Sequence, residues 1–403
     1  MRLRVRLDGV AVGAIDVEHG DRSTFRFDES YLELAERPVL GRAFEDHLSP
    51  SFTLVEPHSR LPPFFENYLP ERGSALRALL ARKAGVREHR EPELLAALGA
   101  DLPGAIVVED VESFANDPDD DSPPRDERPH GPLRFSLAGM QLKFSVLRTG
   151  DRLTVPVTGE GGRYILKLPG EHTNMPAVEF ATTEWARRSG LDVANVNLVT
   201  TETIDGLPEE VVVREKTALL VDRFDRPSDG GHRIHQEDFA QVFWVLSTDK
   251  YGREAKRAFR SIGKVVARVC GDEDFEEFLR RLVFVVLSGN ADAHLKNWSL
   301  RYPTPRVPRL SPAYDLVSTC VFPGHFDDEL PLRLADVWRF EDVRLAHFGR
   351  LGADAGYGEQ RAIAFATIAA QRIRDAWSES TNESSLDAEQ QRVLTAHMAR
   401  IRL

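Results

Sequence analysis

The chain has 403 residues, of which 42% are hydrophobic and 29% charged, and its net charge is −12. This length predicts two or three domains with proper cores, and the acidic balance argues against a protein that coats nucleic acid by itself. Two cysteines, Cys270 and Cys320, supply no disulfide framework; the longest apolar run, Leu282 to Leu287, is far too short to span a bilayer, so the expected setting is the cytoplasm, with no membrane association.

Residues 3–7 alternate Leu, Val and Leu with Arg, and Asp8-Gly9 breaks the run before Val10-Ala-Val12. That is a hairpin signal. A second reversal at His19-Gly20 leads into Thr24-Phe-Arg-Phe27, so a small antiparallel sheet is predicted at the start. Helical patterning follows at Phe64–Leu69, at Ala75–Leu80 and from Pro92 to Leu98, where the proline falls in a tolerated first turn. Residues 116–131 are acidic, proline-rich and free of large apolar side chains. Such a segment buries too little surface to offset its ordering entropy and reads as a linker. Strand-like patterning returns at Phe135, at Phe144–Val146 and at Arg163–Lys167. A helix over Pro176–Ser189 and a short apolar strand, Leu219–Val221, close this region. Helices then dominate, over 254–270, 274–288 and 360–377. The predicted organisation is α+β: a β-rich accessory domain (1–115), the linker (116–131), a β-rich lobe (132–221) and a helical lobe (222–403).

The chemistry concentrates in Asp292-Ala-His294-Leu-Lys296-Asn297, which follows a long apolar helix and a Gly289-Asn290 break. Asp315 lies 18 residues beyond Asn297. An Asp that orients a hydroxyl, an Asn five positions on and a later Asp are the parts of a phosphoryl-transfer site. Asp292 would orient the attacking hydroxyl, Asn297 and Asp315 would offer oxygen ligands to Mg²⁺, and His294 would steady the loop by hydrogen bonds. Taken alone, the loop is equally a helix cap and turn, since Asp and Asn favour turns. Lys167 lies in an otherwise apolar strand, where a lysine either snorkels or meets an anion. Glu179, 12 residues on and on a helix, is its natural partner. A strand Lys paired with a helix Glu is how protein kinases hold ATP phosphates; an exposed Lys and a solvated Glu are the alternative. The stretch Ser136-Leu-Ala-Gly139-Met-Gln141-Leu-Lys143 admits a phosphate-cradling turn or a plain hairpin. Asp222-Arg223-Phe224-Asp225-Arg226 admits a hinge with Phe224 against adenine, or a strand end with alternating surface charges. Arg253, Lys256, Arg257, Arg260, Lys264 and Arg268 form a basic stripe opposite Phe259, Ile262 and Val266, either a solvated face or a meeting place for DNA or an acidic partner.

These motifs, in this order, resemble HipA-like serine/threonine kinases, toxins of bacterial toxin–antitoxin modules, whose fold is two-lobed and protein-kinase-like. Leu61–Pro70 is similar to the family's N-terminal domain, so the resemblance spans most of the chain. It implies Asp292 as catalytic acid/base, Asn297 and Asp315 as magnesium ligands, and Lys167 on the ATP phosphates. The same resemblance implies Asp222 and Phe224 at the adenine hinge. Ser136 matches the family's inhibitory autophosphorylation position. Family members phosphorylate an aminoacyl-tRNA synthetase and pair with a helix-turn-helix antitoxin, through which they meet operator DNA. The chain departs from the family where Lys250-Tyr251 leads into Gly252-Arg-Glu-Ala. Two alternatives stay open: a small-molecule kinase of the aminoglycoside-phosphotransferase type, and a non-catalytic co-repressor.

Overall fold

A computed structural model describes residues 1–18, 22–111, 143–150, 152–154, 162–169, 174–207, 216–228, 230–251, 258–322, 324–326, 328–380 and 384–403. The expected linker and the residues Ser136, Gly139 and Gln141 lie outside the described residues, as do Arg253, Lys256 and Arg257.

The first sheet is antiparallel: β1 (Arg2–Leu7), β2 (Val10–Glu18), β3 (Arg22–Phe27), β4 (Thr53–Glu56) and β5 (Ile106–Asp110), in the order β4-β3-β2-β1-β5. Alternation in β1 puts Leu3, Val5 and Leu7 fully inside. Asp8 and Gly9 both take positive φ, 49° and 79°. That is the two-residue turn whose twist matches the strands it joins. Beneath the sheet, Phe25, Phe44, Phe64 and Phe65 interlock, with Phe25–Phe65 centroids 4.8 Å apart. Four helices accompany it: α1 (Glu29–Leu32), α2 (Pro63–Glu66), α3 (Ala75–Ala84) and α4 (Glu91–Leu98). The N-cap Ser74 accepts a hydrogen bond from Arg77 N–H, and α3 ends on Gly85 at φ 65°.

Among the described residues the second sheet has six strands. They are β6 (Lys143–Thr149), β7 (Arg152–Thr154), β8 (Tyr164–Lys167), β9 (Val196–Thr200), β10 (Ile204–Asp205) and β11 (Thr217–Asp222), in the order β10-β7-β6-β8-β11-β9. Helix α5 (Met175–Arg188) packs against β9 and β11. Leu79 of α3 is fully buried among Phe144, Val146, Leu153 and Leu166, so the N-terminal region supplies part of this lobe's core.

Beyond it lie α6 (Phe239–Val242), α7 (Phe259–Val269), α8 (Asp272–Ser288), α9 (Leu345–Asp354), α10 (Glu359–Ser380) and α11 (Ala388–Arg400). Residues Leu282 to Ser288 of α8 are buried on every side. A helix that is apolar all round belongs in the centre of a lobe, and α10 lies along it with Ala362, Ala366 and Ala370 buried. Helices dominate this lobe, as the sequence predicts, though not alone. It contains β12 (His235–Asp238), β13 (Ser299–Tyr302) and β14 (Arg309–Leu310) in one sheet, and β15 (Glu329–Leu334) with β16 (Val337–Arg339) in another. These strands are two to six residues long, too short to print a period on the sequence. On α7, Arg260 is held by Asp354 (2.8 Å from Nη2 to Oδ1), while Lys264 and Arg268 are exposed over buried Phe259, Ile262 and Val266. The described part of the basic stripe lies on the surface. Among the described residues, no helix is long and apolar enough to cross a membrane.

Buried polar contacts weld the N-terminal domain to the lobes. Trp244 enters its aromatic core, 5.0 Å from the Phe44 ring. Ser247 donates N–H and O–H to Glu66, and Asn67 donates to Val245 O. Glu237 is fully buried, accepting Arg42 N–H (2.9 Å) and the Tyr302 hydroxyl (2.5 Å). Burial pushes its carboxyl up to about 7, although the Tyr302 and Arg42 hydrogen bonds pull the other way. The folded chain therefore keeps a proton that the unfolded chain, with an ordinary value of 4.5, releases, so stability falls as pH rises between these values. In urea titrations the midpoint of the wild type should fall relative to that of Glu237→Gln from pH 4.5 to 8. Parallel pH profiles would contradict this coupling.

Candidate active site

Helix α8 ends on Gly289, at φ 62°. A side chain there would meet Cys320 Sγ at 2.7 Å, so both the conformation and the space demand glycine. The chain then enters the Asp292 loop. Asn290 Oδ1 accepts Asp292 N–H (3.0 Å), Asp292 O accepts His294 N–H (2.8 Å), and His294 O accepts Asn297 N–H (3.0 Å). Thr319, from the Asp315 motif, receives Ala291 N–H and donates to Gly289 O, both at 2.8 Å. One hydroxyl thus pins the first motif to the second. Ser318 N–H in turn reaches Thr182 Oγ1 (3.2 Å) on α5, the helix that carries Glu179. Thr182, Ser318 and Thr319 have no assignment from the sequence, since a Ser-Thr pair beside an acid has no distinctive spacing.

Lys167, Glu179 and Asp315 form one charge cluster, with Lys167 and Glu179 buried and Asp315 half-buried. Lys167 Nζ donates to both Glu179 Oε1 and Asp315 Oδ1, and Lys143 Nζ donates to Asp315 Oδ2 at 2.7 Å. Lys143 and Lys167 are register partners on β6 and β8, so both ammonium groups leave the sheet on one face. Burial alone would lower the Lys167 ammonium; the carboxylates of Asp315 and Glu179 outweigh it and hold the value above the ordinary lysine range. Burial raises Glu179. For Asp315 burial is overcome by Lys143 and Lys167, which hold its carboxyl far below the usual range. Asp315 stands at φ 54°, a left-handed conformation costly for any residue with a Cβ and tolerated best, glycine aside, by Asn and Asp. Its segment is clamped to the turn before β9, through Ala313 N–H to Asp192 O (2.7 Å) and Ala194 N–H to Ala313 O (2.9 Å).

A cavity of about 630 Å³ opens between the lobes, within the range of small-ligand sites. Lys143, Lys167, Glu179, Asp222, Phe224, Asp292, His294, Asn297 and Asp315 all line it. Every described residue expected at the site from the sequence is therefore brought to one place. The N-terminal domain also lines it, through Asn67–Glu71, Ser74 and Leu76. Burial raises the Asp292 carboxyl above the ordinary range, while the hydrogen bond from the Tyr251 hydroxyl opposes that rise.

The packing refines two sequence expectations. His294 steadies the loop through its backbone; its ring is buried with Nδ1 unpartnered, and burial holds the imidazole neutral, well below the usual histidine range. The charges at 222–226 do not simply alternate on a surface. Arg223 and Asp225 are buried and join Arg226 in a network with Asp101 of the N-terminal domain, and Asp225 Oδ2 accepts Gly104 N–H at 2.7 Å. Phe224 lines the cavity, its ring 5.8 Å from that of Tyr314.

Among the described residues no three His, Cys, Asp or Glu side chains come together as a metal cluster. Magnesium needs none, because it takes one or two protein oxygens plus waters and substrate phosphates. The Asp315 carboxylate and the Asn297 amide, facing one cavity, suit that requirement. Stranding a buried charge should be costly: Lys167→Met leaves Glu179 without its cation and should lose about 3–5 kcal/mol in chemical denaturation. Adding Glu179→Gln should restore much of the loss. A single variant as stable as the wild type would contradict the cluster.

Comparison with known proteins places this geometry. Residues 135–377 match the HipA-like C-terminal domain and residues 3–109 the HipA N-terminal domain. The Sinorhizobium fredii protein Y4dM is 39% identical over 406 residues, covering 100% of this chain and 97% of that one. The Shewanella oneidensis serine/threonine-protein kinase toxin HipA is 27% identical over 369 residues, 82% of this chain and 80% of its own. A chain in the solved Shewanella oneidensis MR-1 complex of HipA, HipB and operator DNA shares the fold, with a TM-score of 0.73 at 22% identity, covering 99% of this chain and 95% of that one. With its two-lobed, kinase-like architecture and matches along almost its whole length, the chain belongs to the HipA-like family.

Proposed function

We propose that this protein is an ATP- and magnesium-dependent serine/threonine protein kinase acting as the toxin of a toxin–antitoxin pair. The observation that carries the reading is the convergence of the Lys167–Glu179 pair, Asp315, Asn297 and Asp292 on one cavity between two lobes. Its relative HipA of Shewanella oneidensis is named a serine/threonine-protein kinase toxin, which supports the same reading.

In this reading Lys167, oriented by Glu179, receives the α/β-phosphates. Lys143 adds a second cation, and Asp222 and Phe224 border the adenine. Asn297 and Asp315 would hold magnesium, which when bound neutralises charge on the transferring phosphates. Asp292 accepts a hydrogen bond from the acceptor hydroxyl and takes its proton; its raised value brings it closer to that of an effective base. The buried His294 ring contributes a neutral wall. Ser136, Gly139 and Gln141 would form the phosphate-binding loop, and phosphate on Ser136 would add about −1.5 to −2 charge there and silence the enzyme. The family resemblance points to a translation protein, such as an aminoacyl-tRNA synthetase, as substrate. It also points to a helix-turn-helix antitoxin as partner, with operator DNA reached through that antitoxin; the solved complex of HipA, HipB and operator DNA supports this.

The test is labelled-ATP transfer in a host lysate, with and without magnesium. Asp292→Asn should lose transfer by roughly 10²–10⁴-fold while its melting temperature stays near that of the wild type. Wild-type turnover in that variant would falsify the assignment, and label on a small alcohol instead of a protein would redirect it to a small-molecule phosphotransferase. With the wild type active, mass spectrometry should find phosphate on Ser136; an unmodified Ser136 peptide removes the self-silencing step.

A further inference from the structure

One hydroxyl already sits where an acceptor hydroxyl has to be. The Tyr251 phenol donates to Asp292 Oδ1. Its ring meets the His294 imidazole edge to face, with centroids 4.9 Å apart at 80°. Lys250 is paired with Glu71 of the N-terminal domain, and its ammonium lies 5.1 Å from the Tyr251 ring centroid. Glu71, Lys250 and His294 therefore seat this phenol on the carboxylate. Other hydroxyls line the same cavity, those of Tyr68, Ser74, Ser299, Tyr314 and Thr319, but among the described residues it is the Tyr251 hydroxyl that is hydrogen-bonded to the Asp292 carboxylate. A phenol serving only to fill space would be enclosed, whereas Tyr251 is 43% exposed. Burial and the neighbouring Asp292 hold it above the usual tyrosine range, so it is protonated and needs a base to react.

We propose that Tyr251 is a phosphorylation site, modified within its own chain by the nucleoside triphosphate bound in the cleft. The inference rests on the kinase reading above and extends it from alcohols to a phenol. Tyr251 Oη bonds to the γ-phosphorus, the bond from that phosphorus to the β,γ-bridging oxygen breaks, and the nucleoside diphosphate leaves with the electron pair. The phenolic proton passes to Asp292 Oδ1. A phosphate of about −1.5 to −2 charge then stands beside the Asp292 carboxylate, and like-charge repulsion drives the modified ring from the cleft. Self-modification thereby uncovers Asp292 for a hydroxyl of another protein.

The experiment incubates the full chain with Mg-ATP over a hundredfold range of protein concentration, about two decades being ample to separate the orders. Cleavage after glutamates releases residues 238–254, and fragmentation separates Tyr251 from Ser247 and Thr248. The expected result is phosphate on Tyr251, appearing at a rate independent of protein concentration and lowered about 10²-fold or more in Asp292→Asn. Phosphorylation of an added protein acceptor should show a lag in the wild type that is absent in Tyr251→Phe. Phosphate on other residues with Tyr251 bare overturns the proposal and leaves the kinase reading standing, and a rate proportional to concentration overturns transfer within the chain. No transfer to any residue and no ADP release would remove both.

Discussion

The charge cluster of buried Lys167 and Glu179 with Asp315, and with Lys143 at its exposed edge, is the constraint on which the rest of the molecule turns. Two ammonium and two carboxylate groups are drawn together, and desolvating the buried Lys167 or Glu179 alone would cost several kcal/mol. Each comes from a different part of the chain: β8, α5, the segment after β14, and β6. The cluster can exist only if the six-stranded sheet, its helix and the larger lobe close on one another. In return it supplies the cleft with a fixed pattern of charge, and Thr182, Ser318 and Thr319 carry that fixity across to the Asp292 loop. Such rigid support is what an electrostatic site needs, because its groups act without reorganising.

The N-terminal domain is as much a part of this arrangement as the lobes. Leu79 fills the core under the six-stranded sheet. Asp101 and Gly104 satisfy the buried charges at 223–226, and Lys296, inside the Asp292 motif, donates to Asn67 O at 2.9 Å. The change of composition near residue 116 is thus not matched by a gap in packing between the described domain and lobes. A domain tied on by buried hydrogen bonds does not move freely, since each bond left unmade in the interior costs about 1–3 kcal/mol. The same tie places Glu71 beside Lys250, and so brings the accessory domain within two side chains of Asp292.

Much was legible in the sequence because short-range physics leaves marks on it. Alternating Leu3, Val5 and Leu7 with a left-handed Asp8-Gly9 pair predict a hairpin, since few residues accept that turn. The apolar spacing of α8 and the glycine after it predict a buried helix with a sharp end. The order of Lys167, Glu179, Asp292, Asn297 and Asp315 is enough to name a reaction class, because phosphoryl transfer asks for few groups of fixed type. The short strands β12–β16 escaped, as did the interior fate of Arg223 and Asp225, for charged residues ordinarily belong outside.

What the sequence by itself determined was therefore the local elements, the family and the identity of the acidic and basic groups. Only tertiary structure decided which charges meet. Lys143 reaches Asp315 because β6 and β8 pair in one register, His294 is silenced by burial, and Tyr251 lies on Asp292 through contacts with remote parts of the chain. Electrostatic energy depends on distance and on exclusion of water, and neither is written along a chain until it has folded.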